Sequence, residues 1–210
     1  MEIFWIAHSC FKIKTAKGKV IYIDPYDISE DSPEKADIII ATHDHSDHFD
    51  QKSVKNAMKP NSIIIGPISI ASKLKPFNGK GLKIGESLKI DDISITLVPA
   101  YNISSAFHPK SKEYAGVVIE TEGKKIFHAG DTDRIPEMKN LKDITVAMLP
   151  CGGTYTMDFE EAILAAIDIN PKIVLPMHNW DKSLNYFKEL MAKKNSKIVV
   201  EILENKSLKI

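Results

Sequence analysis

The chain has 210 residues, a formal net charge of zero and a pI near 7.1, with 43% hydrophobic and 27% charged residues. That is enough for one sizeable core in an ordinary soluble globular protein. The balanced charge gives no electrostatic argument for a nucleic-acid partner or an anionic membrane.

The start, "MEIFWIAHSCFKIK", lacks both the basic leader and the apolar core of a signal peptide. No later apolar run approaches the ~18–20 residues of a membrane span. Cys10 and Cys151 are the only cysteines, which argues against a disulfide framework or a zinc ribbon and for a cytoplasmic protein with free thiols. A first strand ends near His8. Phe11–Thr15 and Lys19–Ile23 read as a hairpin around "AKGK", closed at Asp24-Pro25. "ADIIIA" (Ala36–Ala41) is apolar without alternation, as expected of a strand buried on both faces. A short helix from Asp50 to Met58, stopped by Pro60, precedes a strand at Ser62–Ile65, and "ISIASKLKPF" suits a further short helix.

From Lys83 the strand pattern resumes. "SLKI-DD-ISITLVPA" and "AGVVIE-TEGK-KIFHAGD" read as two hairpins. "ITVAMLP" and "KIVLPMH" are buried strands flanking a helix with an N-cap at Asp158 and Glu161 at the capping-box position. A last helix spans about Asp181–Lys194, and a strand follows at Lys197–Leu203. "IKTAKGKVIYID" and "IETEGKKIFHAGD" echo one another, and each precedes a buried strand ending in histidine. The echo predicts a single layered αββα domain with an internal duplication, about 1–90 and 91–210.

Three of the seven histidines fall in "HDHSDHFD" (His43–Asp50) together with three aspartates. The segment follows a buried strand, where α/β proteins place their sites. Imidazole and carboxylate suit zinc, manganese or iron. One ion cannot comfortably take His43, His45, Asp47 and His48 from adjacent positions, whereas two ions roughly 3.5–4 Å apart can. Further donors are available at Asp131 in a Gly-Asp turn, His178 at a strand end and His108 in a loop. An isolated histidine is more often structural than a ligand; these reinforce one another by sitting at successive strand ends.

H-x-H-x-D-H, then "HAGDTD", then "PMH", with "WIAHS", "YIDPY" and "LPCGGTYTMD", resembles the metallo-β-lactamase superfamily over essentially the whole chain. It is similar to the compact, stand-alone metal-dependent hydrolases of that superfamily, among which are ascorbate-6-phosphate lactonase and the N-acyl-phosphatidylethanolamine phospholipases D. The resemblance implies an α/β fold, a four-layer αββα sandwich with two mixed sheets and outer helices. It implies two divalent ions, zinc with manganese or iron as alternatives. His43, His45 and a third histidine would hold one ion, and Asp47, His48 and His178 the other, with Asp131 bridging. Relatives often carry that third histidine close behind a strand-terminal "VPA". Here "VPAYN" has Asn102, and His108, six residues on, is the replacement candidate.

Of the remaining candidates, His128 lies inside a strand and reads as a packed residue or a support to the ligands. His8 either orients substrate or a ligand or simply ends its strand. Asp24, as the resemblance implies, is expected to hydrogen-bond the metal loop or a ligand histidine. Arg134, the only arginine, either clamps a phosphate or carboxylate or pairs on the surface with Glu137 or Asp133. The glycine pair after Cys151 suits close substrate approach. The expected chemistry is hydrolysis of a small ester, lactone or phosphodiester by a metal-bound hydroxide, with Asp47 and Asp131 as catalytic carboxylates that orient the nucleophile and with Asp47 or a metal-bound water protonating the leaving group. The rivals are a phosphodiesterase or nuclease of the same superfamily, and a non-catalytic metal-binding or redox protein. A small-molecule substrate is expected, with no nucleic acid and no membrane span; a homo-oligomer is compatible with the sequence.

Overall fold

The computed structural model describes residues 1–31, 34–103 and 105–210. The chain divides into two compact units, Met1–Lys83 with Leu203–Ile210, and Ile84–Ile202. The first unit begins with β1 (Glu2–Ala7), β2 (Cys10–Lys14), β3 (Val20–Ile23) and β4 (Ala36–Ile40). Helix α1 (Gln51–Ala57), β5 (Met58–Pro67), helix α2 (Ala71–Leu74) and β6 (Lys80–Leu82) follow. Ile38, Ile39 and Ile40 are all fully buried, because β4 runs parallel between β3 and β5 in the middle of the sheet.

The second unit holds β7 (Ser87–Ile90), β8 (Ile93–Pro99), β9 (Ala115–Thr121), β10 (Lys124–His128) and β11 (Val146–Pro150). Helix α3 (Phe159–Ile169), β12 (Ile173–Met177), helix α4 (Leu184–Lys194) and β13 (Val199–Val200) complete it. The last strand, β14 (Ser207–Lys209), returns to the first unit and pairs antiparallel with β1.

Each unit is one seven-stranded mixed sheet, ordered β14-β1-β2-β3-β4-β5-β6 and β13-β12-β11-β10-β9-β8-β7. Counted from β14 and from β7, the pairings follow one sequence in both sheets: three antiparallel, then three parallel. Two mixed sheets with helices is the expected fold class. The division falls at 83/84 and the first unit is completed by the last residues of the chain.

Several local expectations shift. The α1 helix stops at Ala57 and β5 starts directly at Met58, so Pro60 lies within a strand. The register explains why Pro60 is tolerated: Ala36 pairs with Met58 but Ile38 with Ile63, so Pro60 falls in the bulge between them. In α3 the Asp158 carboxylate accepts from Glu161 N at 2.9 Å. Glu161 does not return the bond; its own carboxylate accepts from Arg134 N at 2.9 Å. The capping box is therefore half made. The last helix starts at Leu184 with Ser183 as N-cap, and only Val199–Val200 of the expected final strand pairs. Among the described residues no helix is long and apolar enough to cross a membrane.

Candidate metal centre

In each unit most of the donors follow the C-terminal ends of strands in the parallel part of the sheet, while His8 and His108 follow β1 and β8, which pair antiparallel. In the first, Asp24 follows β3 and the segment Ala41–Asp50 follows β4. That segment is pinned at both ends, Ala41 N to Ile65 O at 2.9 Å and Asp50 N to Pro25 O at 3.1 Å. Asp50 then caps α1, accepting from Ser53 N at 2.8 Å.

Asp24 is the fixed point of the loop. Its Oδ1 accepts from Thr42 N at 2.7 Å, and its Oδ2 accepts from the Thr42 hydroxyl at 2.8 Å and from His48 Nδ1 at 2.7 Å. The Thr42 hydroxyl has one proton and gives it to Asp24. At 2.9 Å from His43 Nδ1 it therefore accepts, and His43 carries its proton on Nδ1. His48 does the same against a carboxylate that can only accept. Both buried rings consequently present the lone pair of Nε2. Their centroids are 4.0 Å apart, and His43 and His45 stand edge to face at 4.6 Å.

The donor atoms of His8, Asp47 and His48 lie within 4.8 Å of one another. His8 Nε2 is 3.2 Å from Asp47 Oδ2. Burial pushes the Asp47 carboxyl up, but the opposing causes, with the hydrogen bond from His8 first among them, outweigh it and hold the group at about 2. Both His8 and Asp24 occupy left-handed backbone, with φ of 50° and 49°. Non-glycine residues held there carry strain, which gathers at functional positions.

In the second unit, Asp131 follows β10, and the loop carrying His108 follows β8. Asp131 is presented by a turn in which Gly130 N donates to His128 Nδ1 at 3.1 Å. His128 thus shapes the turn from inside its strand. Asn102 Nδ2 donates to Asp133 Oδ1 at 2.7 Å and to Tyr155 O at 3.0 Å. Its amide oxygen is thereby turned to His108, accepting from the backbone N at 3.1 Å and from Nδ1 at 3.0 Å. As in His43 and His48, Nδ1 of His108 is the nitrogen engaged by a partner, and its Nε2 faces Asp131 Oδ2 at 3.6 Å. A neutral ring there offers a second donor atom beside the carboxylate, an arrangement suited to a shared cation. His178 Nε2 lies 3.3 Å from the same carboxylate oxygen. The donor chemistry of both units fits a divalent transition metal.

Asn102, read from the sequence as a departure at the ligand position, holds and orients the histidine that follows. His178 has φ of 49°, and the chain beside it leaves no room: a Cβ on Gly152 would come within 2.4 Å of His178 O and 2.6 Å of Trp180 Cδ1. Gly152 therefore serves the packing of the His178 strand end. Gly152→Ala is expected to displace His178, lowering metal content measured by plasma mass spectrometry along with the midpoint of thermal unfolding.

Arg134 is committed elsewhere. Its Nε donates to Asp168 on α3 at 2.7 Å, so neither the substrate clamp nor the expected surface pairs describe it. Glu137 instead takes Lys110 at 3.0 Å and the Tyr101 hydroxyl at 2.9 Å, while Asp133 accepts from Ile103 N at 2.7 Å. Burial pushes the thiols of Cys10 and Cys151 up to about 12, which leaves both unreactive near neutral pH. The sequence missed the His8–Asp47 and Asn102–His108 pairs, since neither spacing forms a motif.

A family described as "Beta-lactamase superfamily domain" matches residues 2–178. A UPF0173 metal-dependent hydrolase of Nanoarchaeum equitans is 38% identical over 188 residues, covering 85% of this chain and 83% of that protein. Among solved structures, one described as a metal-dependent hydrolase of Parabacteroides distasonis superposes with a TM-score of 0.87 at 36% identity, over 95% of this chain and 91% of that one. A metallo hydrolase of the archaeon Ignicoccus hospitalis does so with a TM-score of 0.84 at 27% identity, over 100% and 98%. The chain belongs to the metallo-β-lactamase superfamily and is a metal-dependent hydrolase.

Proposed function

We propose that the protein hydrolyses a small ester, lactone or phosphodiester with two divalent ions, zinc first among the candidates. His43, His45 and His108 would hold one ion, Asp47, His48 and His178 the other, and Asp131 both. The observation that carries this reading is the convergence of His108 Nε2 and His178 Nε2 on Asp131 Oδ2, at 3.6 and 3.3 Å. The common tautomer of His43, His48 and His108 supports it, since each ring is turned to offer Nε2 by a partner on Nδ1.

When bound, such ions lower the pKa of water and polarise a carbonyl or phosphoryl oxygen. The chain supplies the rest. Asp47, held as a carboxylate beside His8, accepts a proton from attacking water. Having taken that proton, it can pass it to the leaving group, so it donates only in the second half of the reaction. His8 fixes the carboxylate through Oδ2, and Asp24 keeps His48 from rotating. These supports make the site rigid before substrate arrives.

The test is metal analysis combined with a screen of esters, lactones and phosphodiesters. Two ions per chain are expected, with turnover falling by at least about 100-fold in His45→Ala. Fewer than one ion per chain, with no turnover in any class, would reject the reading.

A further inference from the structure

Beside two of the candidate ligands of the second unit lies a row of aromatic side chains that the proposed chemistry does not use. Phe107 immediately precedes His108. Its ring meets Tyr155 edge to face at 4.4 Å, Tyr155 meets Trp180 at 6.3 Å, and Trp180 stands perpendicular to the His178 ring at 5.3 Å. Phe107 is 56% exposed and Trp180 51%. Contiguous exposed apolar surface of this kind on a soluble protein marks a contact site.

The row is also built, not incidental. Asn102, which orients His108 through its amide oxygen, donates through Nδ2 to the backbone carbonyl of Tyr155 at 3.0 Å. One side chain therefore fixes both a candidate ligand and the middle of the aromatic row. Trp180 is held in left-handed backbone, φ 50°, an uncommon conformation for a bulky residue. The row thus runs from the residue before one candidate ligand, through a shared support, to the ring of another.

We infer that Phe107, Tyr155 and Trp180 form a recognition wall for an apolar acyl group, aliphatic or aromatic, attached at the scissile bond. The inference rests on the ester and lactone side of the proposed function. Hydrolysis there breaks the bond between acyl carbon and leaving oxygen; water's hydroxyl goes to the acyl carbon and its other proton to the leaving alcohol. The wall would retain the acyl half as the carboxylate product.

The experiment compares nitrophenyl acetate, hexanoate and benzoate as substrates of metal-loaded protein. In parallel, acetate and hexanoate anions are titrated against tryptophan fluorescence, which reads binding without turnover. The ratio of kcat/KM for hexanoate over acetate is expected to exceed about tenfold, and hexanoate to bind tighter by a similar factor. Both ratios should fall toward one in Phe107→Ala, whose exposed ring can be removed without unfolding; the kcat/KM ratio should also fall in Trp180→Ala, with recovery in Trp180→Phe. A benzoate preference above that for hexanoate would assign the wall to aryl groups. Equal binding of the two anions, or a chain-length preference untouched by these variants, overturns the inference. So does a change of oligomeric state in Phe107→Ala without a change in the ratios, since the wall would then be a face between copies of the chain. Absence of turnover on every ester would reject the proposed chemistry, while the anion titration would still decide the wall.

Discussion

Asp24→Ala is expected to strip the protein of bound metal and of much of its stability. The Asp24 side chain and the His48 ring are both fully buried at their 2.7 Å contact. Removing the carboxylate leaves Thr42 N, the Thr42 hydroxyl and the His48 Nδ1 proton without their acceptor, which costs about 3–5 kcal/mol. Against the ~5–15 kcal/mol stability of a typical domain, that loss threatens folding at ordinary temperatures. Alanine is also strained at φ 49°.

Asp24→Asn separates folding from metal binding, because asparagine tolerates this backbone and fills the same volume. Its single oxygen can face Thr42 N or His48, but not both. With the amide group turned to His48, the ring must move its proton to Nε2, where the lone pair is needed. With the oxygen turned there, two donors meet at Thr42 N. The Asn variant should therefore fold while binding less than the wild-type complement of metal. Metal analysis of both variants alongside thermal unfolding provides the check. Wild-type stoichiometry in Asp24→Asn would mean that the His48 tautomer plays no part.

His108→Ala and His128→Ala should fail in opposite ways. His108 offers its Nε2 to the space before Asp131, so its loss should weaken metal binding by more than about 100-fold and abolish turnover. His128 has its Nδ1 engaged with Gly130 N inside the fold. Its removal leaves a cavity worth on the order of 2–4 kcal/mol, lowering the unfolding midpoint while metal content holds. Asn102→Ala belongs between them. The His108 ring would remain but lose its orientation, for a loss of about 10–100-fold in metal affinity. If only His128→Ala released metal, the assignments of the two histidines would be exchanged.

The donor-bearing strand ends were legible because local chemistry dominates there. A dense H-x-H-x-D-H after the buried isoleucines of β4, a Gly-Asp turn after β10 and a histidine closing β12 each show in a short window. What stayed hidden depends on residues far apart. Asn102 looked like a missing ligand, because its role lies in four hydrogen bonds to Asp133, Tyr155 and His108 that no spacing encodes. Glu161 sat at a capping-box position, yet a backbone N–H from the turn at Arg134 took its carboxylate. Strands β6 and β14 have three residues each and exist only where a neighbouring edge accepts them.

The return of β14 has a consequence for how the protein is made. Residues Glu2, Ile3 and Phe4 of β1 find their outer partners at Lys209, Leu208 and Ser207, with the whole of Ile84–Ile202 intervening. At ribosomal speeds of ~5–20 residues per second, those roughly 120 residues take on the order of ten seconds to appear. Throughout that interval the first sheet presents β1 as an open edge carrying Ile3, Trp5 and Ile6, the kind of edge to which another chain can add a strand. Synthesis, more than the finished fold, is therefore when this protein is most exposed to edge-to-edge association, and the last three paired residues are what end it.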